Sequence, residues 1–234
     1  MRRGRLKTVD LPIPVDEISS SASQQTLDGE VQWAIQVTDR SESWNGREYV
    51  TGRAAAREEV EDDAVRIKQG GDGEIDINKT VARRHQTHYG EWLAVDEGWL
   101  VVTDDWVGGL VGSQLPTGVP GNPGLDLQAL LSDLGSPNVT QLGFAGRLVP
   151  KGGDRGALYG DYVDRDPDLG DELQQTPLNE LGVEHHTHEW LQVSAYFAAE
   201  TAYIEVYDQD FSTRDFVDYV GEFVVEHTRE DGDS

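Results

Sequence analysis

Apolar and polar residues alternate with a period of two along much of this chain: Val31, Trp33, Ile35 and Val37, then Leu191, Val193, Ala195 and Phe197, then Ala202, Ile204 and Val206. A period of two places successive side chains on opposite faces of a strand, so these segments predict half-buried antiparallel strands. The spacing of turn residues joins them into hairpins. Val65 and Ile67 face Ile75 and Ile77 across a Gly-rich loop, Gln69 to Gly73. A second hairpin runs from Glu91 to Asp104, turns at Asp96-Glu97-Gly98 and carries Trp92 and Trp99 as large apolar side chains. Residues 191–206 form the third.

Helical spacing is rarer. Leu127, Leu130, Leu131 and Leu134 share one stripe before Gly135, which predicts a helix over 125–134 with glycine in its C-terminal stop position. Another begins at Ser212, where Asp215 three residues on completes a capping box. Phe211 and Phe216 occupy the hydrophobic-staple positions, and Phe216, Val220, Phe223 and Val224 continue the apolar stripe. Ala54–Ala56 followed by Glu58, Glu59, Glu61, Asp62 and Asp63 reads as a short exposed helix over 52–63. The expected fold class is therefore α+β: antiparallel β-hairpins with few helices.

The organisation along the chain reads as five parts: residues 1–28 a basic arm and loose lead-in, 29–106 a β-rich N-terminal half, 107–124 a loop or linker, 125–227 an α+β C-terminal half, and 228–234 an acidic tail. The linker reading rests on six glycines and three prolines in 107–124. Residues 150–177 read as another Gly- and Asp-rich connection. An internal echo links the halves. His85-Gln-Thr-His88-Tyr-Gly-Glu-Trp92-Leu-Ala-Val95 resembles His185-His-Thr-His188-Glu-Trp190-Leu-Gln-Val193 with two residues dropped. Duplication predicts two related hairpin-plus-helix halves, sheets side by side, helices on one face and the other face open.

The formal net charge is −25, and there is no cysteine. That excludes a disulfide scaffold, a zinc ribbon and a thiol nucleophile. Basic charge is mostly arginine, since Lys7, Lys68, Lys79 and Lys151 are the only lysines. In molar salt the Debye length shrinks to about 3 Å, and self-repulsion at this charge largely disappears. Strong acid excess, scarce lysine and no cysteine match the habit of salt-in halophilic archaea. The acids are spread along the chain rather than blocked together, so they describe the solvent rather than a basic partner. No run approaches the ~18 apolar residues of a membrane span, and no apolar core follows the basic start, so a cytoplasmic protein is expected.

Arg2, Arg3, Arg5 and Lys7 put four positive charges on an acid-free start. They read either as a frayed terminus on the protein's own acidic surface or as an arm touching phosphate. Arg83 and Arg84, near Trp92, extend the nucleic-acid candidates. Histidines supply the metal candidates: His186 and His188 share a face if they lie on one strand, His85 and His88 are spaced for a helix or loop, and Glu91 or Glu189 offers a carboxylate. The alternative is polar positions on a solvated sheet face. Asp164-Arg-Asp166-Pro-Asp168-Leu-Gly170 departs from a calcium loop in its late glycine, in Pro167 and in Gln175. Lys151-Gly-Gly-Asp-Arg-Gly156 lacks the phosphate-loop pattern, and neither HExxH nor GxSxG occurs.

No catalytic signature stands, and no cofactor is predicted beyond a divalent metal at those histidines. The expectation is a non-enzymatic binding or regulatory protein acting through its sheet face or a subunit interface, its partner nucleic acid, a nucleoprotein complex or another protein, a second copy of itself included. The alternatives are a His-based metal protein or metal-dependent enzyme, and a structural or assembly protein of a virus or plasmid system.

Overall fold

A computed structural model describes residues 1–23, 32–69, 75–118, 120–148, 153–165, 176–187 and 191–229. The predicted alternation produces strands throughout them. Eleven pair into one antiparallel sheet in the order β2-β3-β4-β5-β6-β1-β12-β11-β10-β8-β9. Before the first helix lie β1 (Arg3–Thr8), β2 (Ser21–Ala22), β3 (Trp33–Glu42), β4 (Glu48–Gln69), β5 (Ile75–Val95) and β6 (Trp99–Val102). Helix α1 (Asp105–Gly112), β7 (Gly124–Leu125) and α2 (Leu127–Asp133) follow. The second half of the sheet is β8 (Asn138–Leu148), β9 (Gly153–Tyr159), β10 (Leu178–His186), β11 (Gln192–Ala198) and β12 (Tyr203–Val206), and it leads into α3 (Thr213–Phe223). A last strand, β13 (Thr228–Arg229), pairs with β7 apart from the main sheet. Among the described residues the molecule is mostly antiparallel sheet with three α-helices. None of these helices is long and apolar enough to cross a membrane.

The sheet buries one face across both halves and the other in the N-terminal half, with different covers. On one face Leu6, Leu93, Val95, Trp99 and Val101 join Phe197 and Ile204, under Leu127 and Leu130 of α2 and Phe216, Val217 and Val220 of α3. On the other, Val50, Trp92, Ala94, Leu100 and Val102 meet Val107 and Val111 of α1 and the segment carrying Ile13, Val15 and Ile18. Two hairpin-plus-helix units are present, β5-β6-α1 and β11-β12-α3. Their helices lie on opposite faces, which corrects the expectation of helices together on one side. The histidine echo does not map one unit onto the other: His85–Val95 lies within a single strand, whereas His185 and His186 end β10 and Val193 lies in β11.

Other expectations change too, and the 150–177 connection contains β9, which pairs with β8. The first eight residues are neither frayed nor a free arm: β1 is the strand that joins the halves, pairing with β6 on one side and β12 on the other. Gly4 and Leu6 alternate with Arg3, Arg5 and Lys7, a period-two pattern that the charges obscured. The predicted helix over 52–63 is strand, where its acids find basic partners on β5: Arg83 lies opposite Glu61 and also reaches Glu59, and Arg84 pairs with Asp62. The predicted linker contains α1. Asp104 caps it by accepting from the Trp106 and Val107 amides, and Gly112 lets Pro120 pack where a Cβ would lie 2.2 Å from its ring. Both helices expected from the C-terminal half form, α3 with the full Ser212–Asp215 capping box.

Candidate functional site

β4 and β5 are far longer than their neighbours. The pairing of β3 with β4 ends at Trp33 opposite Ala56, and that of β6 with β5 at Trp92 opposite Val102. The β4–β5 ladder runs on without a register shift to Gln69 opposite Ile75. Beyond Arg57 and Thr87 the two strands form a ribbon with no third strand among the described residues, extending about 40 Å at the rise of an antiparallel strand. Its root is held by His88, which stacks on Trp106 of α1 at 5.0 Å and 7° and lies 3.4 Å from Glu58.

Register assigns every ribbon residue to a face. On one face lie Val65, Ile67, Ile75, Ile77 and Val81, each 57–68% exposed. Asp63 and Lys79 share that face and lie 3.9 Å apart. Nearer the body the same face carries Glu59, Glu61 and Arg83, with Arg83 3.3 Å from Glu59 and 3.1 Å from Glu61. The opposite face carries Val60, Asp62, Ala64, Thr80, Ala82 and Arg84, where Arg84 pairs with Asp62. The ribbon is amphipathic, and its apolar side faces solvent.

A second open surface lies on the α1 side of the sheet in the C-terminal half. Tyr196 and Tyr203 meet edge to face at 6.2 Å, and the Tyr203 hydroxyl donates to Glu205 at 3.0 Å. Burial, with Glu180 and Tyr207 beside it, pushes the Tyr196 phenol up to about 12. These rings stay neutral hydrogen-bond donors across the physiological range. Between this face and the ribbon root lies a cleft of about 820 Å³ lined by Arg3, Tyr89, Glu91, Tyr203, Glu205 and Tyr207.

The proposed basic contacts are engaged within the chain. Arg3 lies 3.3 Å from Glu205, Arg5 pairs with Asp105, and Arg2 donates to the Asp208 carbonyl. Lys7 is buried, donates to Asp105 at 2.8 Å and to Asn122, and burial lowers its pKa. Arg83 and Arg84 sit in the ribbon pairs already described.

Among the described residues, the structure does not bring His85, His88 and His186 together. His85 and His88 are on opposite faces of the ribbon, and β5 is five strands from β10, about 24 Å at sheet spacing. His185 is buried, 3.0 Å from the Tyr219 hydroxyl, while His186 points to the other side and is exposed. Burial lowers the His185 pKa, and burial also raises that of Tyr219. His188, Glu189 and Trp190 lie outside the described residues, as do Lys151 and most of the Asp164–Gly170 segment. The remaining histidine, His227, is buried with its Nε2 3.2 Å from Asp133 and 3.7 Å from Glu226. Its partner Asp133 is distant in the chain, so no local spacing in the sequence marks the pair.

Sequence reasoning also found the hairpin tip without its exposed face. The signal lies in the sequence: apolar residues alternate on both sides of the turn. No protein-family model matches this chain, and neither curated proteins nor solved structures give a significant match.

Proposed function

We propose that this chain is a non-enzymatic binding protein of a salt-adapted cell, and that its working part is the β4–β5 ribbon, which docks onto an apolar protein surface. The observation that carries this reading is the set of five exposed aliphatic side chains on one ribbon face, with only the mutually paired Asp63 and Lys79 set among them. Monomeric proteins rarely expose contiguous apolar patches beyond a few hundred Å², and such patches commonly mark interaction sites. A lone two-stranded ribbon is also only marginally stable in water, so a covering partner supplies the core it lacks.

Nucleic acid is the less favoured partner. Arg83 and Arg84 are already neutralised by Glu59, Glu61 and Asp62, and phosphate would have to displace those carboxylates. The reading joins the expected binding protein to the expected assembly protein and moves the contact from the basic terminus to the ribbon.

The absence of cysteine provides a direct test. Single thiols are introduced as Ile77→Cys on the apolar face and Thr80→Cys on the opposite face. Their alkylation rates are compared in a concentrated native extract and in dilute purified protein. Docking predicts at least tenfold slower labelling at 77 in the extract, with position 80 little changed. Equal labelling of both positions in both settings overturns the reading.

A further inference from the structure

We infer that the surface covering the apolar ribbon face is the same face of a second copy of this chain, the two ribbons crossing antiparallel to form a small four-stranded sandwich. The inference rests on the docking role of the ribbon and names its partner.

Three observations favour a second copy. The first is area. Val65, Ile67, Ile75, Ile77 and Val81 are each 57–68% exposed, so two ribbons that cover them fully bury on the order of 1,000 Å², the lower bound for a specific interface. The second is self-complementarity. Ile67 lies directly opposite Ile77, with Val65 next on one strand and Ile75 next on the other, so a two-fold axis through the Ile67–Ile77 pair lays these isoleucines on their counterparts. Every charge on the face has a partner within its own ribbon. Asp63 and Lys79 pair with each other between the isoleucines and Val81, and Glu59, Glu61 and Arg83 pair nearer the body. No isolated charge needs to be buried.

The third observation fixes the orientation. Packed sheets sit about 10 Å apart, whereas each body carries α1 on one face of the sheet and α2 and α3 on the other. Ribbons aligned parallel would drive body into body at that spacing. Crossing antiparallel places each body beyond the other's tip. The tyrosine-lined face and its cleft remain open in that pair.

The test measures the mass of the purified full chain in molar KCl by light scattering over a wide concentration range. The wild type is expected to pass from one chain to two. Ile67→Asn/Ile77→Asn should remain a single chain across the range, and Ile77→Asn alone should raise the dissociation constant at least tenfold. Ala82→Asn, on the opposite face, should dimerise like the wild type. All three substitutions are at exposed positions, and circular dichroism with thermal unfolding verifies that each variant folds. A wild type of one-chain mass at every concentration overturns self-pairing, as does a double variant that dimerises normally. Protection of the thiol introduced at position 77 in the extract, together with a monomeric purified protein, would leave the docking role standing with a different protein as partner. Loss of both results removes the docking role as well.

Discussion

Ile67 and Ile77 lie directly opposite each other across the β4–β5 ladder, and each is about two-thirds exposed. Cross-strand pairs of this kind stabilise a sheet mainly by excluding water from the contact between them. Here the pair has water above it, so its apolar area serves the ribbon little until another surface arrives. Substituting Ile77 by Asn should therefore leave the stability of the isolated chain within about 0.5 kcal/mol of wild type. Denaturant unfolding at concentrations too low for association measures this. A loss of several kcal/mol there would show that the side chain is already packed within its own chain.

Asp218 holds α3 to the turn between β3 and β4. It accepts from the Ser43 hydroxyl at 2.6 Å, the Trp44 amide at 2.9 Å, the Asn45 amide at 3.3 Å and the Arg47 guanidinium at 3.2 Å. Removing it strands Arg47, which is mostly buried and, among the described residues, retains only Glu97 as an ion-pair partner. Asp218→Ala should cost about 2–4 kcal/mol, or a fall in Tm of about 6–12 °C for a chain of this size. Thermal unfolding at fixed KCl measures it. Asp218→Asn should lose less, because it still accepts from the hydroxyl and amides.

Gly52 lies opposite Trp92 on β4, beneath the indole ring. A Cβ there would meet the ring at 2.3 Å and the Gln36 carbonyl at 2.3 Å, and neither can move without disturbing the sheet. Gly52→Ala should destabilise the chain by about 3 kcal/mol, at the upper end of ordinary overpacking. Urea unfolding should show a lower midpoint with an unchanged slope.

His185 introduces a pH dependence. Burial depresses its pKa below the ordinary 6.5. In the unfolded chain it titrates near 6.5, so between that pH and the folded value the unfolded state binds more protons. The stability this neutral imidazole allows is complete above about pH 6.5 and is lost as the pH falls from there through the folded value. Urea midpoints in constant KCl should decline below pH 6.5 in the wild type. In His185→Phe this component should be absent, leaving only the shallower carboxylate-driven decline at lower pH.

Much of the fold was legible because alternation and capping are local signals. Trp92 and Trp99, both fully buried, and the Ser212–Asp215 box stand where the sequence placed them. What escaped was set by pairing. Glu59 and Glu61 suit a helix until Arg83 faces them across a ladder. Gly108, Gly109 and Gly112 argue for a loop until Asp104 caps α1 and β5 packs under it. Arg3, Arg5 and Lys7 resemble a solvated tail until β6 and β12 close on both sides. The ribbon face was half legible. Its hairpin followed from Ile67 and Ile77, but its exposure depends on where β3 and β6 stop pairing.

Hydrogen exchange of the ribbon amides tests the central claim most directly. In molar KCl, exchange is followed at 58–69 and 75–87 at two protein concentrations, one favouring a single chain and one favouring two. The body amides of β6 and β11 serve as the internal reference, since global opening sets their protection. Ribbon amides should slow at least tenfold at the higher concentration while the reference stays constant. Ribbon exchange that is equally fast at both concentrations would contradict the account.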